Sequence, residues 1–353
     1  MPVWSFRLAD ERSVRTRTPV IVNDRLCAVF TYQRGDFFES LLLCLDLASG
    51  VEIWRVSVDH ILSEPVLDRD GNVFVSSFGG QVLAFDSSGR ALWRGPEIGR
   101  NLWKPTIISP DRLVVPEIAG GSRFSWCLDA QTGEEVWQFE TGGHTRAVVA
   151  SDDLLVQITS ISGNDPAKPT NGLTALQTGN GALAWSALVS FYPGSLCLAG
   201  DRVIVGARGA LLAFDLASGR SVAEMPTANE AGFGRLLSLD ADTVVLADDQ
   251  NTLRMVDLQT RRGLFRSNVA FTERWRTKLH APAIGEPELL SSSVAVLGND
   301  GTISLHSIQN GVAGRSFRVA GEKRADAGGL ASNDYFLAAG IGRTLAVFEN
   351  RDP

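Results

Sequence analysis

Residues 41–54 read LLLCLDLASGVEIW, and this phrase decides the fold because it returns along the chain. Residues 81–93 read QVLAFDSSGRALW, and residues 124–137 read FSWCLDAQTGEEVW. In each copy an apolar run leads to an Asp, then to a turn that contains Gly, and then to a second run that ends at Trp. Two apolar runs joined by such a turn are typical of a β-hairpin. Each copy therefore predicts one hairpin.

Weaker copies of the phrase continue to the end of the chain. Aligned on the Asp position, which we call the anchor, the copies stand at residues 46, 86, 129, 177, 215, 257, 307 and 349. A second pair of short apolar runs around a polar turn precedes most anchors, and the anchors are 38 to 50 residues apart. Four strands at this period are typical of a propeller blade. We predict an all-β fold, an eight-bladed β-propeller with four antiparallel strands per blade, as a single domain over residues 1–353.

The two ends of the chain complement each other. The eighth copy, TLAVFENRDP at residues 344–353, lacks a fourth strand, whereas PVWSFRL at residues 2–8 is an isolated strand pattern. Trp4 stands in this pattern as Trp137 stands in the third copy. A propeller has no unpaired radial edge when its ends share one blade. We therefore predict that the N-terminal strand closes the last blade.

The recurring Asp, Gly and Trp residues have structural explanations. A Gly after the anchor supplies the positive φ of a tight turn, and the Asp side chain bonds the backbone of that turn. One large flat side chain per blade fills the gap between neighbouring blades. We predict that the following tryptophans are buried for this reason: Trp54, Trp93, Trp137 and Trp185.

The cysteines also follow the repeat. Cys44 and Cys127 stand two residues before an anchor, where other copies have Ala84, Ala175 and Ala213. A small buried residue is expected there. The spacing of the four cysteines matches neither a zinc site nor a small disulfide scaffold. Together with an N-terminus that lacks a secretory signal pattern, this indicates a cytoplasmic location.

Charge and hydropathy limit the partners. The net charge is -7 and the isoelectric point is near 5.2, which argues against a nucleic-acid partner. No apolar run reaches the length of a membrane span. The histidines show no metal-binding spacing, and the common hydrolase, nucleotide-binding and metalloprotease motifs are absent. We therefore expect no catalytic residue, no metal and no cofactor.

The consensus A-x-D-x-x-[ST]-G-x-x-x-W resembles the repeat of the pyrroloquinoline-quinone-like, or quinoprotein-dehydrogenase-like, propeller family. The resemblance covers nearly the whole chain and is strongest over residues 41–185 and 211–219. That family contains quinone-dependent alcohol and sugar dehydrogenases. It also contains cofactor-free propellers, such as the lipoprotein that helps assemble outer-membrane β-barrels. Because the adjacent cysteine pair of the quinone enzymes is missing here, the resemblance implies a cofactor-free member.

In a propeller, the loops that lead into the first strand of each blade and the loops between its second and third strands lie on one side. We call this side the loop face. The segment VAFTERWRTKLHAPAIGEPE at residues 269–288 is predicted to be a basic, aromatic loop over this face, or alternatively an ordinary loop with Trp275 packed down. Arg and Trp are frequent at binding hot spots. The predicted partner- or ligand-binding residues are Glu64, Trp103, Lys104, Arg146, Arg235, Arg274, Trp275, Arg276 and His280.

The leading functional hypothesis is a non-enzymatic scaffold that binds a protein partner through the loop face. The alternatives are a quinone-dependent dehydrogenase-like enzyme and a small-molecule or glycan binder. In either alternative Lys104, Arg146 and Arg235 would bind a small anionic ligand, since guanidinium groups pair with carboxylates. An absorbance spectrum with added quinone and calcium would distinguish the enzyme from the scaffold.

Overall fold

The computed structural model describes residues 1–8, 12–98, 103–117, 123–160, 171–227, 232–262, 267–319, 321 and 325–350. The described residues form 33 β-strands, and none of them lies in a helix. The strands make eight antiparallel sheets, seven of four strands and one of five. These are the eight blades that the repeat predicted, and the all-β class is confirmed.

Contacts divide the chain into two compact units. The first comprises Met1–Gln138, Ile284–His306 and Ala313–Pro353. It contains the N-terminal strand β1 (Trp4–Arg7). Blade 1 consists of β2 (Arg12–Thr16), β3 (Val20–Val22), β4 (Arg25–Arg34), β5 (Phe37–Asp46) and β6 (Glu52–Val58). Blade 2 consists of β7 (Val66–Leu67), β8 (Val73–Ser76), β9 (Val82–Phe85) and β10 (Ala91–Arg94). Blade 3 consists of β11 (Thr106–Ser109), β12 (Arg112–Pro116), β13 (Phe124–Asp129) and β14 (Glu135–Glu140).

The second unit comprises Phe139–Ala283 and Ser307–Val312. Blade 4 consists of β15 (His144–Ala150), β16 (Leu154–Ser160), β17 (Asn171–Gln177) and β18 (Leu183–Leu188). Blade 5 consists of β19 (Tyr192–Ala199), β20 (Arg202–Arg208), β21 (Ala210–Asp215) and β22 (Ser221–Pro226). Blade 6 consists of β23 (Phe233–Ser238), β24 (Thr243–Asp248), β25 (Thr252–Arg262) and β26 (Ser267–Lys278).

The chain then returns to the first unit. Blade 7 consists of β27 (Glu288–Leu289), β28 (Ser293–Leu297), β29 (Thr302–Ser307) and β30 (Ala313–Arg318). Blade 8 consists of β31 (Gly328–Ser332), β32 (Phe336–Ile341) and β33 (Thr344–Glu349), and β1 is its fourth strand. Trp4 pairs with Val347 in the antiparallel register of β1 and β33. The predicted closure of the last blade by the N-terminal strand is confirmed.

The turn chemistry follows the prediction. The Asp46 carboxylate accepts hydrogen bonds from the backbone N–H of Ser49 at 2.8 Å and from its hydroxyl at 2.5 Å. These bonds hold the pKa of Asp46 below its usual value. Gly50 follows with a φ of 72°. The same carboxylate-to-turn bonding occurs at Asp86, Asp129 and Asp215.

The tryptophans connect blades within each unit. The Trp54 ring lies on Gly89, and its indole N–H donates to the carbonyl oxygen of Ser87 at 3.2 Å. A Cβ atom at Gly89 would come within 2.6 Å of this ring, so only glycine permits the contact. The same arrangement joins Trp4 to Gly50, Trp93 to Gly133 and Trp185 to Gly219. Trp54, Trp137 and Trp185 are buried and Trp93 is half-buried, which confirms their structural role.

Cys44 and Cys127 are completely buried, as the repeat predicted. Burial raises the pKa of the Cys127 thiol to about 12, so this thiol is unreactive at neutral pH. The repeat does not predict the partner of Cys44. The turn at Gly35 and Asp36 sets the register of β4 and β5 so that Cys27 faces Cys44, with 2.9 Å between the two sulfur atoms.

Candidate functional site

In the first unit, the predicted site residues lie just before the innermost strands. Glu64 is half-buried, and its carboxylate lies 3.9 Å from the guanidinium of Arg17. Trp103 and Lys104 are also half-buried. The backbone N–H of Trp103 donates to the carbonyl of Pro116 at 2.9 Å, and the Ser76 hydroxyl donates to the Trp103 carbonyl. Trp103 therefore holds blade 3 to the adjacent strand end of blade 2.

In the second unit, Arg146 is exposed and held in place. Its Nε donates to the hydroxyl of Ser160 at 2.6 Å, and its guanidinium lies 4.5 Å from the centre of the Tyr192 ring. Ser160 in turn donates to the side-chain oxygen of Asn171 at 2.8 Å. Tyr192 remains half-exposed. The pair presents a stacked cation and aromatic ring on the loop face of this unit, a combination suited to binding.

Arg146 and Arg235 were both predicted to lie on the loop face, and they stand at different positions in the first strands of their blades. Arg146 is the extra residue of a β-bulge between β15 and β16, and Gly194 is the extra residue of the bulge in blade 5. The corresponding bulge residue in blade 6 is Gly234, so Arg235 stands one position further along its strand. Because successive side chains of a strand point to opposite faces, the two arginines are not equivalent.

The basic segment that was predicted to be a loop is largely a strand. β26 continues to Lys278 and pairs with β25 along its whole length. Trp275 is 8% exposed, lies on Gly311 and donates its indole N–H to the carbonyl of Ile308 at 3.0 Å. It is therefore the blade-connecting tryptophan of blade 6. The loop prediction for residues 269–278 is wrong in both alternatives, although Trp275 is packed down as the second alternative had it.

The charged neighbours of Trp275 point in different directions along β26. Arg274 donates twice to the carboxylate of Asp257, the blade 6 anchor, at 2.6 and 3.1 Å. Arg276 pairs with Glu273 at 3.6 Å. Lys278 donates to the carbonyl of Gln250. A strand rises about 3.3 Å per residue, so Arg274 lies roughly 13 Å from the Lys278 end. Of the predicted site residues in this segment, the exposed His280 lies beyond the end of β26, on the loop face, and Lys278 lies next to it at the end of the strand.

A cleft that the sequence analysis missed lies on the loop face of the first unit. It has a volume of about 500 Å³ and is lined by Asp36, Phe37, Phe38, Asp59, His60, Ile61, Phe78 and Gly79. Phe37 is 78% exposed and Phe38 is 43% exposed. The signal was present in the sequence, since two adjacent Phe residues directly follow a Gly-Asp turn. We call this site the Phe cleft.

A half-buried carboxyl with a shifted pKa, Glu288, lies at the start of blade 7 in the same unit. Burial raises the pKa of Glu288 to about 7 from 4.5, and the charge of Glu286 adds to the increase. The Ser332 hydroxyl donates to Glu288 at 3.0 Å and opposes the shift. Between pH 4.5 and 7 the folded protein therefore binds more protons here than the unfolded chain, and stability falls as pH rises through this window.

We expect Glu288→Gln to remove this pH dependence. Above pH 7 the variant should be more stable than the wild type, by up to about 3 kcal/mol. The wild type must keep a charged carboxylate away from water at this position, whereas the amide has no charge. Near pH 4 the two proteins should have similar stability. Urea unfolding at several pH values measures the difference. A constant difference across the whole pH range would contradict a raised pKa of Glu288.

Comparison with known proteins agrees with the repeat. The family described as outer membrane protein assembly factor BamB matches residues 38–266. The protein of that name from Burkholderia pseudomallei is 27% identical over 90% of this chain and 80% of its own length. The protein of that name from Nitrosomonas eutropha is 31% identical over 40% of this chain and 31% of its own length. A quinohemoprotein alcohol dehydrogenase of Pseudomonas putida is 28% identical over 39% of this chain and 21% of the enzyme.

Solved structures show the same architecture. BamB from Moraxella catarrhalis superposes with a TM-score of 0.70 at 16% identity and covers 99% of both chains. The computationally designed Ika8 protein gives 0.75 at 14% identity over 97% of this chain and 98% of its own. A europium-containing methanol dehydrogenase gives 0.69 at 12% identity over 99% of this chain and 93% of its own. At these identities the similarity shows the fold, and it confirms the eight-bladed β-propeller.

The comparisons correct one prediction. The cytoplasmic location is wrong, because three relatives that match this chain, one of them over 90% of its length, are named outer membrane protein assembly factor. In the part of the chain that the structure describes, no helix has the length and apolarity of a membrane span.

Proposed function

The chain belongs to the family described as outer membrane protein assembly factor BamB, and from this premise we propose that it is a non-enzymatic scaffold that binds a protein partner during outer membrane protein assembly. The scaffold works in the compartment where outer membrane proteins are assembled. The main support for the proposal is the share of this chain that aligns with an assembly factor. The Burkholderia assembly factor aligns with 90% of this chain, whereas the dehydrogenase aligns with 39%.

The exposed residues of the loop face support a binding role. Arg146 is stacked on Tyr192 and fixed by the hydroxyl of Ser160, so its guanidinium is positioned before any partner arrives. A pre-positioned side chain loses little entropy when it binds. Exposed Arg and Tyr are also the side chains that most often contribute binding energy at protein interfaces.

Capture of the partner tests the proposal directly. The tagged protein is cross-linked in the cell envelope of its native host and purified, and the captured proteins are identified by mass spectrometry. We expect proteins of the outer membrane assembly machinery to be enriched. Enrichment of proteins unrelated to the envelope, with none of the assembly machinery, would overturn the proposal. Expression in a Burkholderia strain that lacks its own assembly factor provides a second readout, the level of outer membrane proteins.

We expect Arg146→Ala to weaken binding of the captured partner about tenfold, because an interfacial Arg of this kind contributes on the order of 1 to 2 kcal/mol. The loss should shrink as salt increases, since salt screens the charge. The melting temperature should stay nearly unchanged, because Arg146 is exposed. Surface plasmon resonance at two salt concentrations measures both effects.

Arg220→Ala is the matched control for Arg146→Ala. Arg220 is an exposed arginine of the same unit, but it follows Gly219 in the turn between β21 and β22, at the opposite end of its blade. Its removal should leave binding unchanged. If Arg220→Ala weakens binding and Arg146→Ala does not, the partner binds the opposite end of the blades.

We propose that residues 1–353 fold as one domain. The first unit is assembled from three separate segments of the chain, and the second unit lies between them in sequence. β1 pairs with β33, so the first unit also needs both ends of the chain. Such connectivity favours folding as a whole. A single unfolding transition, seen equally by fluorescence and circular dichroism, would support one domain, and two separate transitions would refute it.

A quinone-dependent enzyme is the second candidate, because the Pseudomonas dehydrogenase aligns at 28% identity. The alignment covers 21% of that enzyme, which leaves most of it unmatched. Titration of the purified protein with pyrroloquinoline quinone and calcium separates the candidates. A saturable change in the quinone absorbance would favour the enzyme.

A further inference from the structure

The hairpin of β4 and β5 is longer than its counterparts. Each of its strands has 10 residues, whereas β20 and β21 in blade 5 have 7 and 6. β4 is three residues longer and β5 four residues longer, so the hairpin extends at least about 10 Å further. The extension lies on the loop face and ends in a turn of two residues, Gly35 and Asp36. Phe37 and Phe38 directly follow this turn.

Side-chain hydrogen bonds connect the two strands of the extended hairpin. The Tyr32 hydroxyl donates to the carboxylate of Glu39 at 3.2 Å. The Arg34 guanidinium donates to both oxygens of the same carboxylate, at 3.2 and 3.3 Å. Tyr32 is buried, so the network is anchored in the core of blade 1. The two exposed Phe rings therefore stand on an ordered support, which lowers the entropy lost when they bind a partner.

The Phe cleft continues into a second cleft of about 510 Å³, and Asp59 and His60 line both. The second cleft is lined by consecutive residues of β6, Val56, Ser57 and Val58. Successive side chains of a strand point to opposite faces, so a cleft that meets all three follows the backbone edge of the strand. β6 is the outermost strand of its sheet. The two clefts together form one groove, which we call the blade 1–2 groove.

The edge of β6 offers backbone hydrogen bonds to an added strand, and the two Phe rings offer apolar contact. An extended segment that pairs with a sheet edge gains main-chain hydrogen bonds, and its alternate side chains enter neighbouring pockets. Leu83 and Phe85 continue the apolar lining of the groove beyond His60. The occupant that fits this lining is an extended segment with apolar side chains at every second position.

The charged residues of the groove indicate which charge its occupant should have. Asp36 and Asp59 are exposed carboxylates beside the Phe rings, and Arg94 lines the far part of the groove. Opposite charges at the rim of a binding site select the partner and accelerate its association. A basic residue next to the apolar side chains of the occupant complements Asp36 and Asp59.

We propose that the blade 1–2 groove binds an extended polypeptide segment of a protein partner, with alternating apolar side chains and a Lys or Arg beside them. This inference rests on the proposed scaffold function and identifies the kind of segment that the scaffold recognises. The segment pairs with the edge of β6 and packs its apolar side chains against Phe37 and Phe38.

Synthetic peptides test the inference on the purified full chain. The probe is a fluorescent nine-residue peptide in which Phe and Leu alternate with Thr and which has Lys at two of the Thr positions. One comparison peptide has Glu in place of both Lys residues, and another has Ser in place of the apolar residues. Fluorescence anisotropy measures binding. We expect the Lys peptide to bind at least tenfold more tightly than either comparison peptide. Equal binding of all three peptides, or no binding of the Lys peptide, overturns the inference.

Variants of the protein locate the binding. The double variant Phe37→Ser with Phe38→Ser should weaken binding of the Lys peptide at least tenfold, because it removes the apolar contact. The double variant Asp36→Asn with Asp59→Asn should weaken binding several-fold and reduce its dependence on salt. Tyr335→Ser is the matched control, since Tyr335 is 72% exposed and lies in the turn between β31 and β32. A loss of affinity in the control equal to that in the Phe variant overturns the inference.

Partner capture keeps this inference separate from the proposed function. If the wild type captures the assembly machinery and the Phe variant captures it equally well, the groove is not the binding site, although the scaffold function stands. If the Lys peptide binds the groove and the wild type captures no assembly protein, the groove is confirmed and the scaffold function fails. Each variant is checked by circular dichroism, so that a loss of binding is read only from folded protein.

Discussion

Deletion of residues 1–8 is expected to lower the free energy of unfolding by about 5 kcal/mol or more, or to cause aggregation. β1 is the fourth strand of blade 8 and pairs with β33. Trp4 donates its indole N–H to the carbonyl of Leu47 in blade 1 at 2.9 Å, and Phe6 packs against Phe30 with ring centres 5.5 Å apart. The deletion therefore opens an edge of blade 8 and separates it from blade 1.

The magnitude follows from buried area. Two half-buried aromatic side chains and Leu8 cover on the order of 200 Å² of apolar surface, which corresponds to about 5 kcal/mol. Trp4→Ala should account for about 3 kcal/mol of this. Val3→Ser is the control, because Val3 is exposed and its replacement should be neutral. Guanidinium unfolding measures all three. An unchanged melting temperature of the deletion variant would show that β1 does not hold the two blades together.

The second large effect is expected at Gly219, where a substitution should cost about 4 kcal/mol. Gly219 has a φ of 68°, and the Trp185 ring lies directly on it. A Cβ atom in Gly219→Ala would overlap the ring, so the ring must move and its hydrogen bond to the carbonyl of Leu216, 2.8 Å long, is lost. Chemical unfolding gives the stability, and near-ultraviolet circular dichroism reports on the indole.

Gly142→Ala separates ring displacement from backbone strain. Gly142 has nearly the same φ, 67°, but a Cβ atom there would meet nothing within 4 Å. Its replacement should cost only about 1 kcal/mol, the strain of a left-handed residue. Equal costs for the two variants would mean that backbone strain alone explains Gly219 and that contact with Trp185 contributes nothing.

The recurring phrase predicted the local structure well because its determinants are local. An Asp and a Gly four residues apart form a turn whose hydrogen bonds lie within the turn itself. In the first copy, Ser49 donates these bonds to the Asp46 carboxylate. Trp54 stands eight residues after its anchor because the hairpin has a constant length. The same rule of constant hairpin length failed to identify Trp275 as a blade-connecting residue. It stands 18 residues after its anchor, Asp257, because β25 and β26 extend the hairpin by ten residues.

The groups that the structure brings together belong to different repeats or to different strands of one repeat. Phe37 lies in blade 1 and Phe78 in blade 2, and the Phe cleft exists only where their loops meet. Arg146 was predicted to lie on the loop face, but its contact with Tyr192 depends on the neighbouring blade. Arg274 was predicted to point into the same face, and pairing with Asp257 holds it beside the blade 6 anchor, away from the loop face.

By itself, the sequence determined the number of blades, the turns at the anchors and the closure by β1, since these depend on periodicity, glycine and the match between the two chain ends. The tertiary structure alone decided which exposed side chains share a surface. The bulge at Arg146 shifts the strand register by one residue, which changes the face to which the side chain points. The long hairpins of blades 1 and 6 place side chains several residues away from the positions that the repeat predicts. Spacing along a chain does not contain this information, because it arises from packing between neighbouring strands and blades.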